Sequence, residues 1–229
     1  MDRATWIREK RRQAEVRMDT LFAHNYDEGW GHINPSHREF MTQFLGLCPP
    51  DCAILDAACG TGKYWGMILE SGRSVRGVDQ SRQMLLQAHR KFPQVPIEKI
   101  GMQELPYVDA FDGIICMDAM ENVFPEDWPL VLHNFYKALK TGGHLYFTVE
   151  IIDTPECAQE VQEAYLKAKA QGMPVVEGEF ALEGYHYYPS IEQVKRWLQD
   201  ASFHILRDAE GDGYHHFLVR RLEVKALAA

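Results

Sequence analysis

No run of about 18 apolar residues, the length that crosses a bilayer as a helix, occurs in this chain of 229 residues. The first residues, Met1 to Arg12, are charged where a secretory signal needs an apolar stretch. Together these absences exclude a membrane partner from the expectation and place the protein in the cytoplasm. Cysteine is scarce, and Cys48, Cys52, Cys59, Cys116 and Cys157 form an odd set of 5, which reads as reduced thiols and not as a disulfide framework. Cys48 and Cys52 stand near zinc-knuckle spacing, but no second Cys or His pair of suitable spacing follows, so no metal is expected. Basic charge is also in deficit, with 24 Lys and Arg against 33 Asp and Glu and a net charge of −9. Phosphate binding draws on clustered Lys and Arg, so no nucleic acid is expected as a partner and a small molecule is favoured as substrate. The one basic run, Arg8 to Arg17, is interleaved with Glu9 and Glu15 and reads as a solvated helix face.

What is present is ordinary globular material, 46% hydrophobic and 25% charged, enough for a single domain over 1–229. The chain is organised around Ile54-Leu55-Asp56-Ala57-Ala58-Cys59-Gly60-Thr61-Gly62-Lys63-Tyr64. An apolar run ends in an acid, turns through close glycines and becomes the apolar-periodic segment Tyr64 to Glu70, which predicts strand, tight loop and helix. Glycines let the backbone turn sharply and approach a ligand, and the helix start offers free N–H groups. Asp56 sharpens this, because a carboxylate beside the loop would repel a pyrophosphate and welcome an ammonium group. A second strand, Ser74 to Asp79, ends in an acid about 20 residues past the glycines, where a carboxylate is placed to accept from both ribose hydroxyls. That feature is shared with NAD enzymes.

Four stretches in this order, Asp56-Ala-Ala-Cys-Gly-Thr-Gly62, Gly77-Val-Asp-Gln-Ser81 with Met84 and Leu85, Phe111-Asp-Gly-Ile-Ile-Cys-Met-Asp118, and Lys140-Thr-Gly-Gly-His-Leu-Tyr146, resemble the class I S-adenosylmethionine-dependent methyltransferases over residues 50–150. The resemblance implies a doubly wound α/β fold with a mostly parallel seven-stranded sheet and an antiparallel last strand. It implies S-adenosylmethionine as cofactor and S-adenosylhomocysteine as product. By the same resemblance Asp56, Gly60 and Gly62 surround the methionine part, Asp79 binds the ribose, and Met102 and Gln103 flank the adenine. Ala58, Gln80, Met84 and Met117, which belong to the matching motifs, join the cofactor set. Many relatives carry an aspartate where Gly101 aligns, so the adenine amino group would be held by Gln103 or a backbone carbonyl.

Taken in order, residues 1–46 predict a helical cap, with Ile7, Ala14, Met18, Leu21 and Phe22 at helical spacing, then a Gly- and Pro-containing loop over 26–37. Relatives fold this segment over cofactor and acceptor, so Tyr26 or Trp30 is expected at the cofactor carboxylate and His32 or His37 at the acceptor; Trp30 packing the helix down is the alternative. Residues 47–150 predict the cofactor core, with strands alternating with helices, and 151–185 a candidate acceptor lid. Residues 186–224 predict a helix from the capping box Ser190 to Gln193 and a strand hairpin, with the tail Lys225 to Ala229 disordered.

Ligands of such sheets bind beyond the carboxyl ends of the strands, where Asp118, Glu121, Glu150 and Asp153 are expected to converge. Methyl transfer from a sulfonium needs alignment of nucleophile, methyl and sulfur, and an oxygen or amine nucleophile must lose a proton. Glu121, His37 and His186 are the candidate bases. Trp30, Asp118, Glu150, Tyr185, Tyr187 and His215 are the candidate substrate contacts. Acids beside aromatic faces favour an amine-bearing acceptor. The expected activity is methyl transfer to N or O of a small metabolite by a monomer or homodimer. An NAD-dependent oxidoreductase, disfavoured by Asp56, and a non-catalytic S-adenosylmethionine-binding protein are the alternatives.

Overall fold

The computed structural model describes residues 1–181 and 184–223; the expectation for 225–229 lies outside them. Its strands are β1 (Ala53–Ala57), β2 (Ser74–Asp79), β3 (Ile97–Lys99), β4 (Phe111–Cys116), β5 (Leu139–Glu150), β6 (Glu179–Phe180), β7 (His186–Tyr187), β8 (Phe203–Gly211) and β9 (Tyr214–Arg221). Its helices are α1 (Arg3–Arg17), α2 (Tyr26–Trp30), α3 (Pro35–Leu47), α4 (Trp65–Glu70), α5 (Arg82–Lys91), α6 (Trp128–Ala138), α7 (Pro155–Ala170) and α8 (Ile191–Asp200). Seven strands form one sheet in the order β3-β2-β1-β4-β5-β9-β8, and β6 pairs with β7 apart from it. All pairings in the large sheet are parallel except those of β9 with β5 and β8.

Continuous apolar strands are what a sheet covered on both faces requires. Alternate residues of the strands divide between two layers. Ile54, Ile115, Tyr146 and Leu218 face Phe44 of α3, Trp65 and Ile68 of α4 and Leu85 of α5. Leu55, Ile114, Phe147 and Phe217 face Trp128 and Phe135 of α6 and Leu198 of α8. The switch of connection between β1 and β4 leaves a crevice beyond their carboxyl ends, which is where such sheets bind ligands.

Several local expectations are corrected. Residues 26–30 form a helical turn inside the expected loop, since Gly29 needs no special φ there and Asp27 and Glu28 suit a helix start. Strand β5 carries Gly142 and Gly143 within it, with a register shift against β4 between Phe111 and Gly113, and within the candidate lid only Glu179 and Phe180 pair as a strand, with β7. In α1 the anchors are Trp6 and Ile7, and Trp6, which the spacing argument passed over, packs edge-on to Phe124 and Tyr185. Leu21 is exposed. Among the described residues no helix is long and apolar enough to cross a membrane.

Candidate active site

The loop after β1 turns through left-handed residues, with φ of 61° at Ala58, 51° at Gly60 and 75° at Gly62. A Cβ at Gly60 would meet nothing within 4 Å, so its free side opens on the crevice, whereas one at Gly62 would lie 2.8 Å from the Trp65 ring. Gly62 therefore serves close packing of the helix behind the loop, between the lining residues Thr61 and Lys63. Asp79, at the tip of β2, accepts the Gly60 N–H at 2.9 Å and the Ser81 N–H at 2.7 Å. Each carboxylate oxygen retains a lone pair after one such bond. Asp56 accepts the Trp65 indole N–H at 2.8 Å. Burial pushes the Asp56 carboxyl up to about 8, despite that bond, and burial raises Asp79 as well.

Asp56, Gly60 and Asp79 line one open cleft with about 1210 Å³ of empty space counted out to solvent. Ala58, Gly60, Asp56, Asp79, Gln80 and Met84 form one wall, Gly101, Met102, Gln103 and Met117 another. Asp118 follows β4 with a φ of 51°, a strained setting for a residue with a side chain. It is fixed by His37 Nε2 at 2.8 Å, Lys63 Nζ at 3.1 Å and its own N–H to Thr148 at 2.8 Å. His37 and Lys63 hold its carboxyl below the usual range against the effect of burial.

The N-terminal segment forms the roof. Lys10, Arg11, Ala14, Met18 and Tyr26 line the cleft, so the inward part of the basic run corrects the reading of a wholly solvated face. Acids tie this roof to the cofactor loops. Asp19 accepts from the Ser81 hydroxyl at 2.6 Å and the Gln83 N–H at 3.1 Å, while Asp27 accepts from Thr61 and from Lys91. Sequence reasoning missed Lys10, Arg11, Lys63 and Asn122, since helical spacing did not say which face of α1 turns inward. Asp19 was missed as well, since only the tertiary structure brings it beside the Ser81-capped start of α5.

Other expected residues stand elsewhere. Trp30 is 51% exposed and packs on Tyr26 and Phe22; it holds the roof together, and only Tyr26 reaches the cleft. His32 is not in the cleft wall. His37 is buried behind Asp118 and between Tyr64, Tyr214 and His216, so it positions Asp118 and does not face an acceptor. Glu121 stands one hydrogen bond behind the wall, taking the Asn122 amide at 3.2 Å. His186 pairs with Glu150 at 2.8 Å, beside that acid and outside the cleft wall. Tyr185 reaches the cleft, its hydroxyl donating to Glu179 at 2.6 Å and its ring stacked on Phe124. Tyr187 packs against the core instead. His215 and His216 alternate across β9: His215 meets Asp208 at 2.8 Å and Phe217, away from His37, which His216 faces. Asp153 is exposed. The Cys48 thiol is buried and pushed up to about 12 by that burial.

Two Tyr-x-x-x-Lys spacings, a pattern used by some NAD-dependent oxidoreductases, occur at Tyr136–Lys140 and Tyr165–Lys169. Tyr136 donates to Leu222 O, Lys140 pairs with Asp112, and Lys169 lies on Tyr165 at the exposed surface of α7. Neither pair lies in the cleft wall.

Residues 54–143 match the family described as a methyltransferase domain. A tRNA U34 carboxymethyltransferase of a Shewanella species is 29% identical over 171 residues, 69% of this chain and 46% of that protein. The chain thus spans about half the length of the curated relatives it matches. Among solved structures, an S-adenosylmethionine-dependent methyltransferase of Methanosarcina mazei superposes with a TM-score of 0.70 at 17% identity, covering 83% of this chain and 98% of that one. The 1,6-didemethyltoxoflavin-N1-methyltransferase of Burkholderia thailandensis superposes with a TM-score of 0.65 at 16% identity, covering 96% of this chain and 89% of that one. The glycine loop, the acid ending β2 and the single antiparallel strand β9 occur together, and the chain has the fold of the S-adenosylmethionine-dependent methyltransferases, with a methyltransferase domain matched over residues 54–143.

Proposed function

We propose that the chain transfers a methyl group from S-adenosylmethionine to a nitrogen or oxygen of a small acceptor. The observation that carries the reading is the presence of Asp79, Asp56, the open side of Gly60, and Met102 with Gln103 in one cleft. Asp79 suits ribose hydroxyls, the two side chains after β3 suit an adenine ring, and a buried carboxyl raised to about 8 at Asp56 suits a nearby cation. When bound, S-adenosylmethionine supplies an electrophilic methyl carried on a sulfonium. The chain's own work is alignment and exclusion of water. Tyr26 and α1 cover the cleft, and Asp118, clamped by His37 and Lys63, sets the wall facing the acceptor. Residues 151–185 contribute Tyr185 to that covering, which supports their role as part of a lid.

A net charge of −9 supports a small acceptor, as does the likeness along 96% of the chain to a protein named for methylating 1,6-didemethyltoxoflavin. The names of the curated relatives favour a second reading, transfer to tRNA. Calorimetry with S-adenosylmethionine, S-adenosylhomocysteine and NAD, on wild type and Asp79→Ala, tests the cofactor. Binding of both adenosyl ligands, weakened at least about tenfold in the variant by loss of charged hydrogen bonds, is expected. Binding of NAD alone overturns the reading. Release of S-adenosylhomocysteine with amines and phenols, against none with bulk tRNA, then separates the two acceptor classes.

A further inference from the structure

Around the rim of the cleft, carboxylates differ in whether a cation already balances them. Asp118 has Lys63 at 3.1 Å, and Glu150 Oε2 has His186 Nδ1 at 2.8 Å. Glu121 has neither. It is 5% exposed, its Oε1 takes only the Asn122 amide at 3.2 Å, and its Oε2 is buried with no hydrogen-bond partner. A buried acceptor atom without a partner is costly and calls for an explanation.

The surroundings of Glu121 say what would satisfy it. The turn that carries Glu121 packs against β5, which ends in Glu150, and against β7, which carries His186. Glu150, Asp118 and His186 are the charged groups acting on it; Arg17 acts on His186, and the charge of Glu121 acts on the Tyr26, Tyr188 and Tyr214 hydroxyls. Asn122 and Tyr26 belong to the cleft wall, and the side chains of His186 and Glu150 are 40% and 29% exposed, so the cluster adjoins both cleft and solvent. Among the described residues no three His, Cys, Asp or Glu side chains converge to hold a metal ion.

We propose that Glu121, with Glu150 and His186, is the subsite that anchors a protonated amine of the acceptor. The class of acceptor is an alkyl- or aralkylammonium compound, and the inference rests on the methyl-transfer reading for the identity of the neighbouring cleft. An ammonium group carries three donors, enough for the free Glu121 oxygen and the Glu150 carboxylate together. Burial and Glu150 keep a proton on Glu121 up to about 8. Docking an ammonium at neutral pH therefore expels that proton to the buffer, with the positive charge of the ligand taking its place.

The test is calorimetric titration of the full chain, saturated with S-adenosylhomocysteine, with matched amine and alcohol probes: butylamine against butanol and phenethylamine against 2-phenylethanol. Measurements at pH 7 in two buffers of different ionisation enthalpy count the proton. At least one amine is expected to bind about tenfold or more tightly than its alcohol, with proton release, and the preference is expected to vanish in E121Q and in E150Q. Equal binding of amine and alcohol in both pairs overturns the inference, as does a preference that survives both substitutions. If E121Q does not fold by thermal melting, E150Q carries the test from a partly exposed position. If S-adenosylhomocysteine itself fails to bind, the methyl-transfer reading falls, and the same titrations on the unliganded chain still decide the subsite.

Discussion

Gly77, in the middle of β2, is held to glycine by the packing behind it. An added Cβ would come within 2.3 Å of the Trp65 ring and 2.9 Å of Cys59 Sγ, both buried. Gly77→Ala is expected to lower stability by about 1–3 kcal/mol, the usual cost of overpacking, read as a lower denaturant midpoint. Buried carboxyls make a second prediction at this scale. Glu121 and Asp56 are raised to about 8 from ordinary values of 4.5 and 3.8. The folded state thus holds protons that the unfolded chain has lost, so this stability is full below about pH 4 and drains away as pH rises toward 8. Glu121→Gln is expected to flatten the fall in melting temperature between pH 5 and pH 8.5; an unchanged slope would refute the assignment. The acid at position 56 and the acid at position 79 were legible in the sequence because each closes an apolar strand. Their burial was not, because it depends on Trp65 and the roof.

The N-terminal helix is the element whose fate the sequence left open. Its alternation of charges looks solvated, yet Arg3 makes paired contacts with Glu126 and with Glu179, which is fully buried, and also reaches Pro174 O. This ties α1 to the turn before α6 and to the segment that carries Tyr185. Removing one partner of such a buried pair leaves an uncompensated charge, so Arg3→Ala is expected to cost about 3–5 kcal/mol in thermal unfolding. Arg3→Lys should recover only part, since ammonium cannot reproduce the forked contacts. Asp19 belongs to the same argument, because it joins the π-helical turn after α1 to the start of α5. Asp19→Ala is expected to speed amide exchange at the start of α5 and to weaken S-adenosylhomocysteine severalfold by loosening the roof; exchange at an unchanged rate would sink this account.

For the molecule as a whole, charge balance bears on the class of partner. The chain carries −9, and Arg3, Arg11, Arg12, Lys63, Lys91 and Lys99 are each paired with an internal carboxylate. The net negative charge opposes binding of a phosphate backbone, which draws on clustered Lys and Arg. Electrophoretic titration with bulk tRNA at about 0.15 M salt is expected to give no retarded species, whereas a steep salt-dependent shift would favour the tRNA reading.

The sequence by itself determined the alternation of strands and helices, the crevice at the first loop and the acids that end β1 and β2, because strand burial, tight turning and strand-end position are written in local pattern. Only the tertiary structure decided which candidates meet. Trp30 became a packing residue on Tyr26 and Phe22, His37 a support for Asp118, 81 residues away in sequence, and Glu121 a buried carboxyl behind Asn122 with one oxygen unpaired, because burial and the meeting of distant segments decide which side chains reach the cleft, and no local spacing encodes them.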